Sequence, residues 1–173
     1  MFDSVAISVA VATFLAVLLI TTGEAVLSMF NERILRARGA IEPPGDVLGP
    51  MLWAYPACFI AMTVEGALFG PAAPRVLTAG LVVFGVSKAL KAWVISSLGV
   101  RWTFRVLVVP GAPLVTGGPY AIMRHPNYIA VLGELIGFAL IVNAPVTGVL
   151  ALVVYGALLR RKIAIEDRAL RRQ

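Results

Sequence analysis

Cysteine is almost absent from this sequence: Cys58 is the only one. No intrachain disulfide and no cysteine metal cluster can be built from a single thiol, and inside an apolar run it reads as a small buried residue. Charge is scarce as well, at 14% of 173 residues against 60% hydrophobic. With a mean hydropathy of +0.91, the chain carries more apolar surface than a soluble core of this size could bury, so it reads as an integral membrane protein. Internal repeats, low-complexity tracts and any polar stretch able to fold as a soluble domain are missing. No Gly-x-Gly-x-Gly loop lies between a strand and a helix, which leaves a Rossmann-type nucleotide site without its signature. The alternation expected of barrel strands is missing too, because the apolar residues gather into unbroken runs.

Those runs read as helices. The first extends from Ser4 to about Thr22 without a charge. It follows MFDS rather than a basic start and is nearly twice an ordinary signal-peptide core, so it is read as a span. The second runs from about Val47 to Phe69, carries Glu65 and ends at GPAAP; the third runs from about Arg75 to Ser97 and contains Lys88 and Lys91. Two shorter segments follow, Asn127 to Val142 and Val146 to Leu159, separated by Asn143-Ala144-Pro145. At ~1.5 Å per residue they barely cover ~30 Å of hydrocarbon, and they read as a tight hairpin. The expectation is an all-α integral membrane protein of about five transmembrane helices, the last two a short hairpin, forming a single domain over 1–173.

The basic residues orient it. Arg33, Arg36 and Arg38 follow the first span; Arg101, Arg105 and Arg124 follow the third; Arg160, Arg161, Lys162, Arg168, Arg171 and Arg172 follow the last. With five spans these connections share one side, which the positive-inside rule assigns to the cytoplasm, with the N-terminus outside. The net charge of +6 is therefore a topology signal, and no basic surface interleaved with aromatics suggests a nucleic acid partner.

Chemistry then belongs on the cytoplasmic face. In GGPYAIMRHPNYIAVLGELIG, Gly117 to Gly137, the only histidine of the chain, His125, stands beside Arg124 at the mouth of a helix that Pro126 suits as first residue. Helix-start N–H groups favour an anion, a carboxylate or a phosphate; a plain structural cap is the other reading of His125. Further on, the last span continues as a helix into RRKIAIEDRAL. There Leu159, Ile163, Glu166 and Leu170 recur three or four positions apart, so Glu166 interrupts an apolar stripe. A surface pair with Lys162 is the alternative.

GPYAIMRHPNY, the apolar hairpin and RRKIAIEDRAL together resemble the C-terminal signature of the isoprenylcysteine carboxyl methyltransferase family: Arg-His-Pro-x-Tyr followed, one hairpin later, by a paired acidic motif. The resemblance covers about Gly111 to Leu170, and more loosely the third span and LGVRWTFRV. It implies an all-helical membrane enzyme that uses S-adenosylmethionine, releases S-adenosylhomocysteine, and methylates a lipophilic acceptor at the cytoplasmic face of what would be a bacterial inner membrane. It assigns the cofactor-binding part to about 111–170, with Gly118, Tyr120, His125, Pro126 and Tyr128 as one wall and Glu166 opposite. Asp167 stands where the family usually has a second glutamate. No metal enters this chemistry.

By looser resemblance Lys91 falls where carboxyl methyltransferases place an acceptor-orienting arginine. Lys91 and Arg124 are thus the candidate catalytic residues, and Trp93, Trp102 and Arg101 the candidate acceptor-binding ones. Intramembrane charges usually face a cavity or a partner, although Lys88 and Lys91 could also snorkel, the preferred reading for Lys88. The acceptor would be prenylated or a lipophilic small molecule bearing a carboxylate or phenol-type oxygen. NERILRARGA and LGVRWTFRVLVVPGAPLVTGGPY resemble a bacterial branch that methylates alkylpyrones, alkylresorcinols or their quinols. Met51, Trp53, Met62 and Trp93 are candidates to line its path through the membrane lipid. A steroid-reductase-like enzyme using a nicotinamide cofactor and a non-catalytic membrane scaffold are the two competing classes.

Overall fold

The computed structural model describes residues 4–171, in five helices: α1 (Ser4–Ala37), α2 (Leu48–Phe69), α3 (Pro74–Leu98), α4 (Pro126–Ile141) and α5 (Pro145–Leu170). Arg172 of the basic tail lies outside the described residues. Among those residues no strand forms, only a single antiparallel bridge between Ile41 and Val108. Three helical stretches, Ala10–Ala37, Leu48–Phe69 and Pro74–Arg101, are long and apolar enough to cross a membrane; α4 is apolar but shorter. α5 is apolar in its first half and basic from Arg160. Proline opens α3, α4 and α5 near the first position, where a helix loses no hydrogen bond to it.

The first helix departs from expectation. Its apolar run ends near Thr22, yet the helix continues to Ala37, so 34 residues extend about 51 Å at ~1.5 Å per residue. Hydropathy marks where lipid ends, not where a helix ends, and NERILRA is rich in helix-forming residues. The extension has a structural role. Ser28, Asn31 and Leu35 are buried on it, and the first two receive the connection after α3. Asn31 Nδ2 donates to the Trp102 carbonyl at 2.8 Å, the Phe104 amide donates to Ser28 Oγ at 2.8 Å, and Arg105 Nε meets Glu32 Oε2 at 3.1 Å. Lys162 Nζ on α5 closes the strap from the other side, donating to the Phe104 carbonyl at 2.6 Å and to Asp46 Oδ1 at 3.2 Å.

α4 and α5 are joined by Val142-Asn143-Ala144, with Asn143 at φ 59°. The closest backbone approach of α4 is nonetheless to α3. A Cβ added at Gly137 would stand 2.6 Å from the Phe84 amide nitrogen, and one at Gly133 would stand 2.1 Å from Ser87 Oγ. The Gly-x-x-x-Gly pair therefore faces α3 and lets the two backbones touch. At the far end, Glu65 of α2 is buried and caps α5, accepting from the amides of Val146 at 2.9 Å and Thr147 at 2.6 Å and from the Thr147 hydroxyl.

Candidate active site

α4 begins at His125. The residue takes the cap position, but its side chain makes no capping hydrogen bond. Its ring instead faces α5, with Nε2 3.3 Å from Asp167 Oδ1 and Nδ1 3.9 Å from Glu166 Oε2. Tyr128, one turn on, stacks at 5.7 Å from that ring and donates its hydroxyl to Glu166 Oε2 at 2.5 Å. Lys162 is committed to Asp46 and the Phe104 carbonyl, so the surface pair with Glu166 is not formed. Asp167, although shorter than a glutamate, reaches the histidine. Burial pushes the Tyr120 phenol above its ordinary range, and the neighbouring Glu166 charge adds to this.

A cavity of about 380 Å3 opens beside this group, within the range usual for small-molecule sites. Tyr120, Arg124, His125, Tyr128 and Glu166 line one end. Lys91, Arg101 and Trp102 also line it, and its other end runs between α1 and α2 past Val17, Thr21, Met51 and Tyr55. The structure thus brings most of the sequence-selected residues to one space. Pro126 is buried, Gly118 turns at φ 60° against Ser97, and Asp167 sits behind His125. The expected acceptor path is only partly there: Met51 is on the wall, Met62 is sealed in the core, and Trp53 and Trp93 are 81% and 46% exposed, off the cavity. Trp93 is displaced because its helix face meets the Gly118 turn, where its ring nitrogen approaches the glycine.

The lysines of α3 do not snorkel. Lys91 Nζ lies 2.8 Å from Glu134 Oε1 and 3.1 Å from Glu24 Oε2; Lys88 Nζ lies 2.9 Å from Glu24 Oε1 and 3.2 Å from Glu134 Oε1. The Tyr55 hydroxyl donates to Glu134 Oε2. Two cations and two anions from α1, α3 and α4 thereby neutralise one another at the depth of the apolar core. Sequence reasoning missed both acids. The available signal was charge matching: two lysines inside an apolar helix require counter-ions, and Glu24 and Glu134 also stand inside apolar segments.

Fold and site together define an all-helical membrane protein with one continuous cavity, polar where α4 begins and α5 ends, apolar between α1 and α2. The chain belongs to the isoprenylcysteine carboxyl methyltransferase (ICMT) family, whose profile matches residues 78–172. This is a family of membrane methyltransferases that use S-adenosylmethionine, and the matched region holds His125, Tyr128, Glu166 and Lys91. The chain is 33% identical to the uncharacterized protein YpbQ of Bacillus subtilis (strain 168) over 141 residues, 81% of this chain and 83% of that one. It is 26% identical to an uncharacterized protein of Haemophilus influenzae (strain ATCC 51907 / DSM 11121 / KW20 / Rd) over 159 residues, 91% of this chain and 92% of that one. No solved structure matches the chain.

Proposed function

We propose that this protein is an S-adenosylmethionine-dependent O-methyltransferase that acts on a lipophilic acceptor reaching it from the bilayer, at the cytoplasmic face of a bacterial inner membrane. The observation that carries this reading is the joining, in one cavity, of the His125–Tyr128–Glu166 group to an apolar throat between α1 and α2. The donor set fits the cofactor. Glu166 and Asp167 carry no lysine or arginine partner in the described contacts and are acceptors for hydroxyl or amino hydrogens. Arg124 and the uncapped start of α4 suit a carboxylate, and the rings of Tyr120 and Tyr128 suit a sulfonium by cation–π attraction.

S-adenosylmethionine supplies an electrophilic methyl group on that sulfonium. The chain's part is to hold the acceptor oxygen in line behind it and to exclude water, so proximity and orientation carry much of the rate. Gly118 lets the chain turn tightly before the site, Pro126 fixes the first turn of α4, and Trp102 seals the wall below Arg101 by donating Nε1–H to Asn127 Oδ1 at 3.2 Å. Lys91 lies at the acceptor side and orients the reacting oxygen. The direct test is calorimetry of the purified protein in detergent with S-adenosylhomocysteine. Binding with a 1:1 stoichiometry supports the reading; affinity for NADPH and none for S-adenosylhomocysteine overturns it.

A further inference from the structure

We propose that the Tyr155 hydroxyl anchors the methyl acceptor through a second hydrogen-bonding group, distinct from the oxygen that takes the methyl. This rests on the methyltransferase reading above and deepens it.

The first observation is a stripe. Tyr155, Leu159, Lys162, Glu166 and Leu170 recur three or four positions apart on α5, and all five line the cavity. Because α5 enters from the far rim, Tyr155 is the deepest of them. Ala151, one turn before it, is sealed in the core and off the wall, so the stripe ends at the phenol.

The second observation is an unmet hydroxyl. Tyr155 is only 5% exposed, and its ring is fixed against Tyr55 at a centroid distance of 5.3 Å. Its hydroxyl makes no hydrogen bond to a described residue, although a buried tyrosine ordinarily finds a partner for that group. The neighbours on the wall cannot supply one. The Tyr55 hydroxyl is given to Glu134, which both lysines also hold, and Thr22 Oγ1 is given to the Leu18 carbonyl. Thr21 Oγ1 is walled in, whereas the Tyr155 oxygen is not. Its partner therefore comes from whatever fills the cavity.

Position says which ligand this is. The 11 residues from Tyr155 to Glu166 place ~16 Å of helix between them at ~1.5 Å per residue. A cofactor held at the His125 and Glu166 end is thus remote from the phenol, and so is an oxygen that must stand about 3–3.5 Å from the methyl it attacks. Beyond Tyr155 the wall is apolar, with Phe14, Val17 and Phe59 on it. An acceptor would lie with its reacting oxygen toward the start of α4, its second polar group at Tyr155 and its hydrocarbon tail past it. A phenol both donates and accepts, so a carbonyl, a hydroxyl or an amide on the acceptor satisfies it.

A hydroxyl left unmet in the empty protein and met in the complex has opposite effects on stability and on binding. The experiment uses this. Wild type is compared with Tyr155→Phe, which keeps the ring and its packing and deletes only the hydroxyl. Acceptor affinity is measured in detergent with S-adenosylhomocysteine present, on two pairs of probes that differ by one polar group: pentadecylresorcinol against pentadecylphenol, and N-acetyl-S-farnesylcysteine against S-farnesylthiopropionic acid. Wild type should prefer the probe with the extra group by about tenfold or more in at least one pair, because a site built to hydrogen-bond a group rejects the analogue that lacks it. Tyr155→Phe should erase that preference and bind the probe without the group within a few-fold of wild type. Its affinity for S-adenosylhomocysteine should be unchanged, and its melting midpoint without ligand should stay level or rise, since an unpaired buried hydroxyl has been removed.

A preference that survives Tyr155→Phe overturns the proposal. So does a loss of S-adenosylhomocysteine affinity, which puts the hydroxyl at the cofactor, and so does a lower midpoint with equal loss on all four probes, which makes it structural. Wild type that binds S-adenosylhomocysteine but shows no preference in either pair overturns it while sparing the methyltransferase reading. Wild type that binds no S-adenosylhomocysteine takes both down.

Discussion

The Tyr128 hydroxyl donates to Glu166 Oε2 at 2.5 Å and so ties the first turn of α4 to the last turns of α5. If Glu166 holds the cofactor, Glu166→Gln keeps its size and removes its charge, and affinity for S-adenosylhomocysteine should fall by about 1.5–3 kcal/mol, the range for hydrogen bonds to charged groups. Tyr128→Phe keeps the ring and removes only the tie. It should lower the thermal midpoint and weaken affinity by no more than about 1 kcal/mol. Calorimetry with melting curves checks both, and equal affinity in all three proteins would place the cofactor elsewhere.

His125→Ala should weaken cofactor affinity by about 1–3 kcal/mol while leaving the melting temperature near wild type, because the side chain caps nothing. A large loss of stability with intact affinity would return the residue to a structural part.

Lys162→Ala should act the opposite way. It leaves Asp46 buried opposite an empty site and frees the Phe104 carbonyl, which costs about 3–5 kcal/mol for a broken buried pair. Unfolding measured in detergent should show that loss. Lys162→Ala with unaltered stability would mean that the strap is held by α1 alone.

Gly137→Leu should destabilise by several kcal/mol, since even a methyl group would overlap the Phe84 backbone. Gly85→Ala, on the same α3 but with nothing within 4 Å, should be neutral or slightly stabilising. Should both glycines tolerate substitution alike, α3 and α4 would not be in backbone contact.

Lys91→Met removes one of four compensating charges, so its effect on turnover must be read beside stability. Lys91→Met alone should destabilise by about 3–5 kcal/mol, and Lys91→Met with Glu134→Gln should recover much of that while turnover stays low. Lys91→Arg should keep part of the activity. Additive losses in the double variant would show that Lys91 and Glu134 are not coupled.

Much of this fold was legible because hydropathy and proline mark helices well. The boundaries of α2 and α3 and the proline start of α4 followed from apolar runs and breakers, whereas Pro145, read as part of the separator, opens α5. The extension of α1 did not follow from them, since a helix outside lipid leaves no hydropathy signal. At the site, local patterns singled out His125 at a helix mouth and Glu166 in an interrupted stripe, and the family resemblance added Tyr128; the structure brings the three side chains together. Glu24 and Glu134 were not legible, because 110 positions separate them and only the lysines of α3, placed between, reveal that they belong together. The strap from Trp102 to Arg105 was equally hidden, its partners being scattered over α1, α5 and the connection before α2. Trp93 stands off the cavity wall, and its place in the sequence does not say which face of α3 meets the cavity.

The cap that Glu65 provides gives α5 the mechanics of a beam supported at both ends. At ~1.5 Å per residue its 26 residues make a rod of about 39 Å, fastened at its first turn to α2 and near its last to the strap through Lys162. Such a rod does not swing about either end, so Glu166, one turn beyond the second fastening, has little travel relative to Tyr128. The registration of a single carboxylate against the histidine mouth is thus inherited from a support on the opposite rim of the molecule, and loosening Glu65 should blur the site without touching it.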